Sequence, residues 1–225
     1  IWAVNHWLIR PAFDQLEHAQ AVEDNVRARA AIQGELRQLG NALGNWAEWD
    51  DAYVFAENRN PHFIQSNLGD WRVLEKSSHL NLCVILARDG QVLYNGGYDT
   101  DLGGNVSLAA FSGERPALLA TLRPVLEREQ ALEGILSTEH GPLLLAARPV
   151  LTTRGIGPAR GALVFGRFLD APLLRALTEQ TRVPFELFTE GDARLTPEER
   201  DYLRASPPGA AVLRPGPHGV LFMYE

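Results

Sequence analysis

Hydrophobic residues recur every seven positions along the first part of the chain, which is the pattern of a packed helix. They form two neighbouring rows, and one row has a single polar member, Arg29. The rows are Val22, Arg29, Leu36 and Leu43, and Ile32, Leu39 and Trp46. This pattern predicts one long helix over residues 11–58, which Pro11 opens and Asn60-Pro61 closes. Periodic helices longer than ~25 residues are typical of coiled coils and stalks, so this helix is expected to form a homodimer with its copy.

The same seven-residue count places Asp50 after Leu43 on the first row and Tyr53 after Trp46 on the second. A carboxylate is costly to bury unless it is paired or hydrogen-bonded. Asp50 is therefore expected to project inward from the helix, toward a hollow in the sheet. A nearby cation, a backbone amide or a ligand would satisfy it there.

After residue 60 the pattern changes to short apolar runs between turn signals, which indicates strands. The runs are residues 80–87, 91–94, 132–137, 143–151 and 160–168. Asp89-Gly90 and His140-Gly141-Pro142 supply tight turns, and a helical stretch that opens at Ser112-Gly113-Glu114-Arg115 separates the second strand from the third. The order predicts an α+β fold, in which a long N-terminal helix precedes a five-stranded antiparallel sheet whose flanking helices cover one face.

The last part of the chain is interpreted as the start of a second, smaller α/β unit. Its predicted elements are a helix after Asp170-Ala171-Pro172, a strand at 185–188, a helix capped by Thr196, and strands at 212–213 and 220–224 around the turn PGPHG. The predicted domains are residues 1–58 for the long helix, 59–182 for the α/β unit that contains the predicted sheet, and 183–225 for the incomplete second unit.

Composition and charge narrow the classes of function. Of the 225 residues, 45% are hydrophobic and 22% are charged, as in an ordinary soluble globular protein. The 21 basic and 28 acidic residues give a net charge of −7, without a block of basic residues. Nucleic acids require a basic surface, so nucleic-acid partners are disfavoured. Cys83 is the only cysteine, which excludes an internal disulfide, and its apolar neighbours predict a small buried side chain.

The first nine residues are apolar and include Trp2 and Trp7, and Arg10-Pro11 follows them. No apolar run in the sequence reaches the ~18 residues that a membrane span requires. Tryptophan is enriched at membrane interfaces, so we interpret residues 1–9 as the exit end of a span that anchors the domain to a membrane. An ordinary helix start is the alternative.

The sequence contains no pattern typical of an enzyme or a metal site. The six histidines lack the spacing of metal ligands, and neither a nucleophile elbow nor a phosphate-binding loop is present. Asp99 and Asp101 lie in a predicted loop without a full calcium-binding pattern. Glu48, Asp50 and Asp51 suggest a hydrolase with paired carboxylates, but consecutive residues of a helix, such as Asp50 and Asp51, point about 100° apart. We therefore expect no catalysis, no cofactor and no metal.

Polar groups within apolar strands are the candidates for holding a small molecule. Arg148 shares one strand face with apolar residues such as Ala146, and Arg167 lies near the end of the next strand. An arginine on a covered face needs an anion. For Arg148 the anion is either Asp50, in a fixed pair that joins helix and sheet, or a carboxylate or phosphate of a ligand. His140, in a turn beside the sheet, is a further candidate.

One stretch carries the pattern W-x-x-W-D-D-x-Y, formed by Trp46, Trp49, Asp50, Asp51 and Tyr53. Together with LNLCVILARDGQVLYNG, it resembles the CHASE-type extracellular sensor domains of the fourth class, most strongly over residues 40–98. The resemblance implies a long helix that carries PAS-like or Cache-like α/β units. It also implies an input module on the periplasmic side of a bacterial inner membrane, held between two membrane spans, that feeds a diguanylate cyclase, a phosphodiesterase or a histidine kinase. It identifies no ligand, and the residue set by which certain two-unit Cache domains bind amino acids is not evident.

Three functions remain open. The leading hypothesis is a sensor that binds an unknown small molecule in the concavity of the sheet and relays the signal through a dimeric helix. Its candidate ligand-binding residues are Trp46, Asp50, Tyr53, His140, Arg148 and Arg167. The second hypothesis is a module that dimerises a receptor, or binds another protein, without a small ligand. The third is an enzyme, which the lack of a catalytic pattern disfavours.

Overall fold

The computed structural model describes residues 10–99, 101–106, 108–112, 118–188, 192–205, 211–213 and 220–222. Residues 1–9, interpreted above as the end of a membrane span, lie outside this set, as do residues 113–115 of the predicted helix start and the turn at 215–219. Among the described residues, no helix combines the length and the apolar character that crossing a bilayer requires. Backbone contacts divide the described chain into two units, residues 33–171 and the described parts of 1–32 and 172–225.

The first helix, α1, spans Arg10–Ala47 and ends earlier than the hydrophobic rows predict. Trp49 has an extended backbone, with φ −128° and ψ 129°, and a separate helix, α2, spans Asp50–Asn58. The extended residue turns the chain out of the helical register, so the seven-residue count no longer applies. The prediction of one continuous helix over 11–58 is therefore wrong at this break. The two aspartates that begin α2 are favourable there, because they interact with the positive end of the helix dipole.

Two short helices follow, α3 (Pro61–Asn67) and α4 (Trp71–Ser78). The Asn60 side chain accepts a hydrogen bond from the His62 N–H at 3.0 Å, so Asn60 caps α3. Pro61 occupies the first turn, where its missing N–H has no cost. The predicted end of the helical stretch at Asn60-Pro61 is confirmed, since α2 ends at Asn58 and a new helix begins at Pro61.

The central sheet is antiparallel throughout. Its strands are β1 (Leu82–Ala87), β2 (Val92–Asp99), β3 (Gly104–Asn105), β4 (Leu132–Thr138), β5 (Gly141–Pro149) and β6 (Gly161–Phe168). They lie in the order β3-β2-β1-β6-β5-β4. All residues of β1 are buried, as expected for a central strand that is covered on both faces. The predicted α+β class, with a long helix and an antiparallel sheet, is confirmed.

The sheet has six strands, one more than the five predicted. The segment interpreted as a loop instead continues β2 to Asp99, and Gly104–Asn105 returns as β3. Asp99 stabilises this return, because its carboxylate accepts hydrogen bonds from the Leu102 N–H at 2.9 Å and from the Asn81 side chain at 3.0 Å.

Helices cover both faces of the sheet, rather than the one face predicted. One face packs against α5 (Leu119–Arg128) and a 3₁₀ turn at Ala109–Phe111, and it forms a continuous aliphatic core. Buried members of this core include Leu82, Val84, Leu122, Val125, Leu143, Leu145 and Val164. The other face, toward α1 and α2, carries Phe165 but also Arg148 and Arg167.

The elements after residue 170 belong to the second unit. They are α6 (Ala171–Thr181), which begins in the first unit, α7 (Pro197–Ala205), and a hairpin of β7 (Ala211–Leu213) and β8 (Val220–Phe222). The predicted cap of α7 is confirmed. The Glu199 N–H donates to the Thr196 hydroxyl at 3.2 Å, and the Thr196 N–H donates to the Glu199 carboxylate at 2.8 Å.

Residues 185–188, predicted as a strand, do not form one in the described part of the chain. Arg194 holds this segment by side-chain contacts instead. Its guanidinium lies 4.6 Å from the centre of the Phe188 ring and 3.0 Å from the Glu186 carboxylate. The strand prediction for residues 185–188 is therefore wrong.

Candidate functional site

Arg148 on β5 reaches from the sheet to the backbone of α1. Its Nε donates a hydrogen bond to the Gly40 carbonyl at 2.9 Å, and its Nη2 lies 3.8 Å from the Glu133 carboxylate on β4. The Arg148 side chain is 29% exposed, so part of the guanidinium faces solvent. A guanidinium has five N–H donors, and one is used in the bond to Gly40. Arg148 is therefore both an anchor for α1 and a group with donors left for an anion.

Two glycines of α1, Gly40 and Gly44, face these side chains, and Gly40 lets the Glu133 carboxylate approach the helix. A Cβ atom on Gly40 would overlap the Glu133 carboxylate, whereas one on Gly44 would lie 3.8 Å from the Arg148 Nε, in ordinary contact. The two glycines are one helical turn apart, so they lie on the same face of α1. Gly40 is thus required for the observed position of Glu133.

An open groove of about 490 Å³ lies beside Arg148. It is bordered by the end of α1, by Trp49 at the helix break and by the loop after β5. Its lining residues are Asn41, Gly44, Asn45, Glu48, Trp49, Arg148 and Thr153. Arg148 and Glu48 bring opposite charges to this lining. The groove can therefore hold a small polar molecule with an anionic group at Arg148.

Arg167 on β6 makes a second link between the sheet and α1. Its Nη1 lies 2.6 Å from the Glu35 carboxylate, and the two side chains are 21% and 14% exposed. A short, partly buried contact between opposite charges is a strong hydrogen bond. Glu35 supplies the anion that Arg167 was expected to need. This ion pair therefore connects β6 to α1.

Asp50 does not point toward the sheet, and the predicted inward orientation is wrong. Asp50 is exposed, and its carboxylate accepts a hydrogen bond from the Thr153 N–H at 2.9 Å. Its own N–H donates to the Thr153 hydroxyl at 3.1 Å. The fixed pair of Asp50 with Arg148 is therefore not formed between these two described residues. The extended Trp49 is the physical reason, because it removes Asp50 from the hydrophobic rows of α1.

Trp46 packs between α1 and the sheet. Its ring contacts Phe165 edge-on, with 5.7 Å between the ring centres, and lies 6.0 Å from the Trp49 ring. Leu43 and Ala47 beside it are fully buried. These side chains fill the space in which the sequence predicted a hollow, so the groove lies at the edge of this interface and not within it.

Tyr53 and His140 lie away from the groove lining. The Arg160 guanidinium stacks over the Tyr53 ring at 3.9 Å, and the Tyr53 hydroxyl donates to the Pro158 carbonyl at 3.2 Å. His140 is exposed in the turn between β4 and β5, with its ring 6.3 Å from that of Phe168. Of the six residues predicted for the site, the groove lining contains Arg148.

The sequence analysis missed several groove residues, although two signals were present. Gly40 and Gly44 stand one turn apart inside a helix, which indicates that another part of the chain approaches closely. Asp50-Asp51 is a signal for a helix start, and it marks the break that exposes the groove. Thr153 had no such signal, because its place depends on the register of distant strands.

The described residues provide no metal-binding cluster of three or more histidine, cysteine or acidic residues. Cys83 is fully buried, and burial raises the pKa of its thiol far above the ordinary value. A buried, protonated thiol is a poor nucleophile and a poor metal ligand. The lining of the groove beside Arg148 supplies hydrogen-bonding and charged groups.

Residues 31–188 match the family model of the CHASE4 domain, a span that includes the whole sheet and both sides of the groove. The chain belongs to the CHASE4 domain family. The resemblance carried by the W-x-x-W-D-D-x-Y pattern is thereby confirmed. As a CHASE4 domain, the chain is a sensor module of a signalling protein.

Other proteins are similar to this CHASE4 domain. The methanogenesis regulatory histidine kinase FilI of Methanothrix harundinacea (strain 6Ac) is 26% identical over 160 residues, which are 69% of this chain but 17% of that kinase. The periplasmic domain of Vibrio cholerae LuxQ has a TM-score of 0.43 and 16% identity, with 89% of this chain and 93% of that chain covered. The ligand-binding domain of the Campylobacter jejuni chemoreceptor Tlp3, in complex with L-valine, has a TM-score of 0.40 and 13% identity, with 81% and 66% covered.

Proposed function

We propose that this CHASE4 domain is the extracytoplasmic input of a membrane-bound receptor, and that a small molecule with an anionic group binds in the groove beside Arg148. One observation carries the proposal: Arg148 lines the groove and also donates to the backbone of α1. A ligand that engages the guanidinium therefore acts on the group that positions the helix.

The groove lining favours a polar ligand of modest size. The planar guanidinium of Arg148 matches the geometry of a carboxylate or a phosphate. Asn41 and Asn45 are exposed, and their amides supply donors and acceptors. Glu48 favours a donor or a positive group at the other end of the ligand. The contact of Arg148 with Glu133 is long, so a ligand anion can compete for the same Nη groups.

The signal would travel through α1. Arg148 is hydrogen-bonded to the Gly40 carbonyl of this helix, and Arg167 forms an ion pair with Glu35. These two interactions connect the sheet to neighbouring turns of α1. A ligand shifts a signalling equilibrium only by the difference in its affinity for the two states. In the bound state, Arg148 would contact the ligand instead of Glu133. This exchange of partners would give the two states different affinities for the ligand.

The family and one relative support a proposal for the remainder of the receptor. We propose that α1 pairs with its copy in a homodimer, that flanking membrane segments carry the movement across the membrane, and that the output is a histidine kinase. The similarity to the kinase FilI supports this output. A cytoplasmic enzyme of cyclic di-GMP signalling is the alternative output.

The proposal is tested by a thermal-shift screen of the 225-residue chain with inorganic phosphate and small mono- and dicarboxylates, followed by calorimetry with the strongest probe. Arg148→Ala should weaken binding by about 1.5–3 kcal/mol, or roughly 10- to 150-fold, because a hydrogen bond to a charged group is lost. Asn45→Ala, at an exposed lining residue, should weaken binding less and leave the fold unchanged.

Arg123→Ala is the matched control, since Arg123 is 68% exposed on α5 and outside the groove lining. It should leave the affinity unchanged. If Arg148→Ala and Asn45→Ala both bind the probe as tightly as the wild type, the assignment of the groove is wrong.

A second candidate function is a dimerisation or protein-interaction module without a small ligand. The filled interface of Trp46, Leu43 and Phe165 favours it, because this part of the helix–sheet contact is packed as a core. This function predicts that the chain sediments as a dimer and that no probe of the screen raises its melting temperature. A saturable shift with any of the probes would contradict it.

A further inference from the structure

We infer that the domain has a second site, in the groove between α2 and α3, that binds an organic ammonium group. This groove has a volume of about 290 Å³ and shares Trp49 with the groove beside Arg148. The inference does not depend on the anionic ligand proposed above, because the two grooves differ in charge and in lining.

Aromatic rings form the apolar part of this groove. The rings of Trp49 and Phe63 are 5.7 Å apart at their centres, and Phe55 stacks on Phe63 at 4.9 Å. Phe55 and Phe63 are 4% and 7% exposed, so both are held firmly by the core, whereas Trp49 is half-buried. The face of an aromatic ring carries negative electrostatic potential and attracts cations. Trp49 is therefore the ring of this cluster that is open to a ligand, and its contact with the buried Phe63 ring holds it in place for an alkylammonium group.

The lining contains one carboxylate, that of Asp51, and one imidazole, that of His62. Asp51 lines the groove and is exposed, and it lies one turn of α2 before Phe55, on the same face of the helix. The lining contains neither lysine nor arginine. Asn58, the last residue of α2, also belongs to the lining, and the C-terminal end of a helix favours positive charge. Anionic ligands are disfavoured for the same reasons.

The polar rim agrees with a ligand that brings hydrogen-bond donors or a hydroxyl group. Ser66 lies in the lining, with its hydroxyl 3.4 Å from the His62 ring. The Asn67 side-chain N–H donates a hydrogen bond to the Phe63 carbonyl at 2.9 Å. The Asn67 side-chain oxygen, as an amide carbonyl, is an acceptor. A carboxylate, acceptor oxygens and ring faces in one groove are the features by which proteins recognise ammonium compounds.

Choline is the probe for this site, and its neutral carbon analogue, dimethylbutanol, is the comparison. Choline chloride should raise the melting temperature of the 225-residue chain in a saturable way, and both dimethylbutanol and sodium chloride at equal concentration should not. Asp51→Asn should weaken choline binding at least about tenfold, because the charge opposite the ammonium is lost. Asp201→Asn, at an exposed aspartate of α7, is the matched control and should bind choline like the wild type.

A second pair of variants places a competing cation in the groove. Val54 is 47% exposed and lines the groove, whereas Val73 is 58% exposed on α4, outside the lining. Val54→Lys should abolish choline binding, and Val73→Lys should not, while both chains fold. No saturable choline binding below about 10 mM, equal binding of dimethylbutanol, or unchanged affinity in both Asp51→Asn and Val54→Lys would overturn the inference.

Discussion

The two faces of the central sheet are packed differently. On one face, α5 and the turn at Ala109–Phe111 cover an uninterrupted aliphatic layer. On the other face, under α1 and α2, Arg148 and Arg167 interrupt the apolar layer. The first face is stabilised by burial of apolar surface, which is insensitive to direction. The second combines ring packing with ion pairs that fix particular turns of α1. The groove beside Arg148 borders the second face, so the face with directional contacts is the one on which a ligand can act.

The largest effect is expected where the aliphatic layer is opened. Leu122→Ala removes a fully buried side chain of α5 and should lower the free energy of unfolding by about 2–5 kcal/mol, through lost burial and the remaining cavity. Chemical denaturation measures the change. Leu102→Ala, at a leucine that is 50% exposed, is the control and should change stability by less than about 0.5 kcal/mol. Equal effects of the two variants would contradict the assignment of this face as the core.

A smaller effect is expected at the ion pair of the second face. Arg167→Ala leaves the Glu35 carboxylate, which is 14% exposed, without its partner and should cost about 1–3 kcal/mol of unfolding free energy. Arg123→Ala breaks the exposed pair with Glu127 and should cost less than about 0.5 kcal/mol. In a double-mutant cycle, Glu35→Gln should recover part of the loss. Additive effects of Arg167→Ala and Glu35→Gln would show that the pair is not coupled.

Arg148 and Asp50 show which parts of the second face the sequence could predict and which it could not. The alternation of side chains along β5 placed Arg148 on a covered face and predicted that it needs an anion, and the hydrophobic rows predicted α1 up to Ala47. The actual partners, Glu133 and Gly40, depend on how β4 and α1 lie against β5, and a single sequence does not contain that register. Asp50 was misplaced because one extended residue, Trp49, shifts the register of everything after it.

The helix break itself provides a weaker contact to test. Asp50→Ala removes the acceptor for the Thr153 N–H and should cost about 0.5–1.5 kcal/mol. Hydrogen exchange of the Thr153 amide should become faster. Asp51→Ala is the matched control, since Asp51 begins the same helix but is not the acceptor of that bond. Unchanged exchange at Thr153 in Asp50→Ala would show that the bond does not hold the loop after β5.

The smallest effect concerns Cys83, which lies on the second face and is fully buried there. Burial raises the pKa of this thiol above its ordinary value of 9.0, so the folded state keeps the proton that the unfolded state loses as the pH rises. The stability contributed by the protonated thiol is therefore complete well below pH 9 and declines as the pH approaches and passes 9, with a loss of about 0.4 kcal/mol at pH 9 itself. Denaturation at pH 7, 8 and 9 should show this decline in the wild type and not in Cys83→Ala. The same decline in both proteins would assign it to another group.

The central claim is that Arg148 couples the groove to α1, and side-chain NMR of the guanidinium tests it most directly. The phosphate or carboxylate probe that gives the largest thermal stabilisation is titrated into the chain, while the Nε–H signal of Arg148 and the carbonyl signal of Gly40 are followed. Both signals should shift together and saturate with the same dissociation constant, and the Nε–H signal of Arg123 should stay in place. Saturable stabilisation of the fold with the Arg148 and Gly40 signals unchanged would contradict the account.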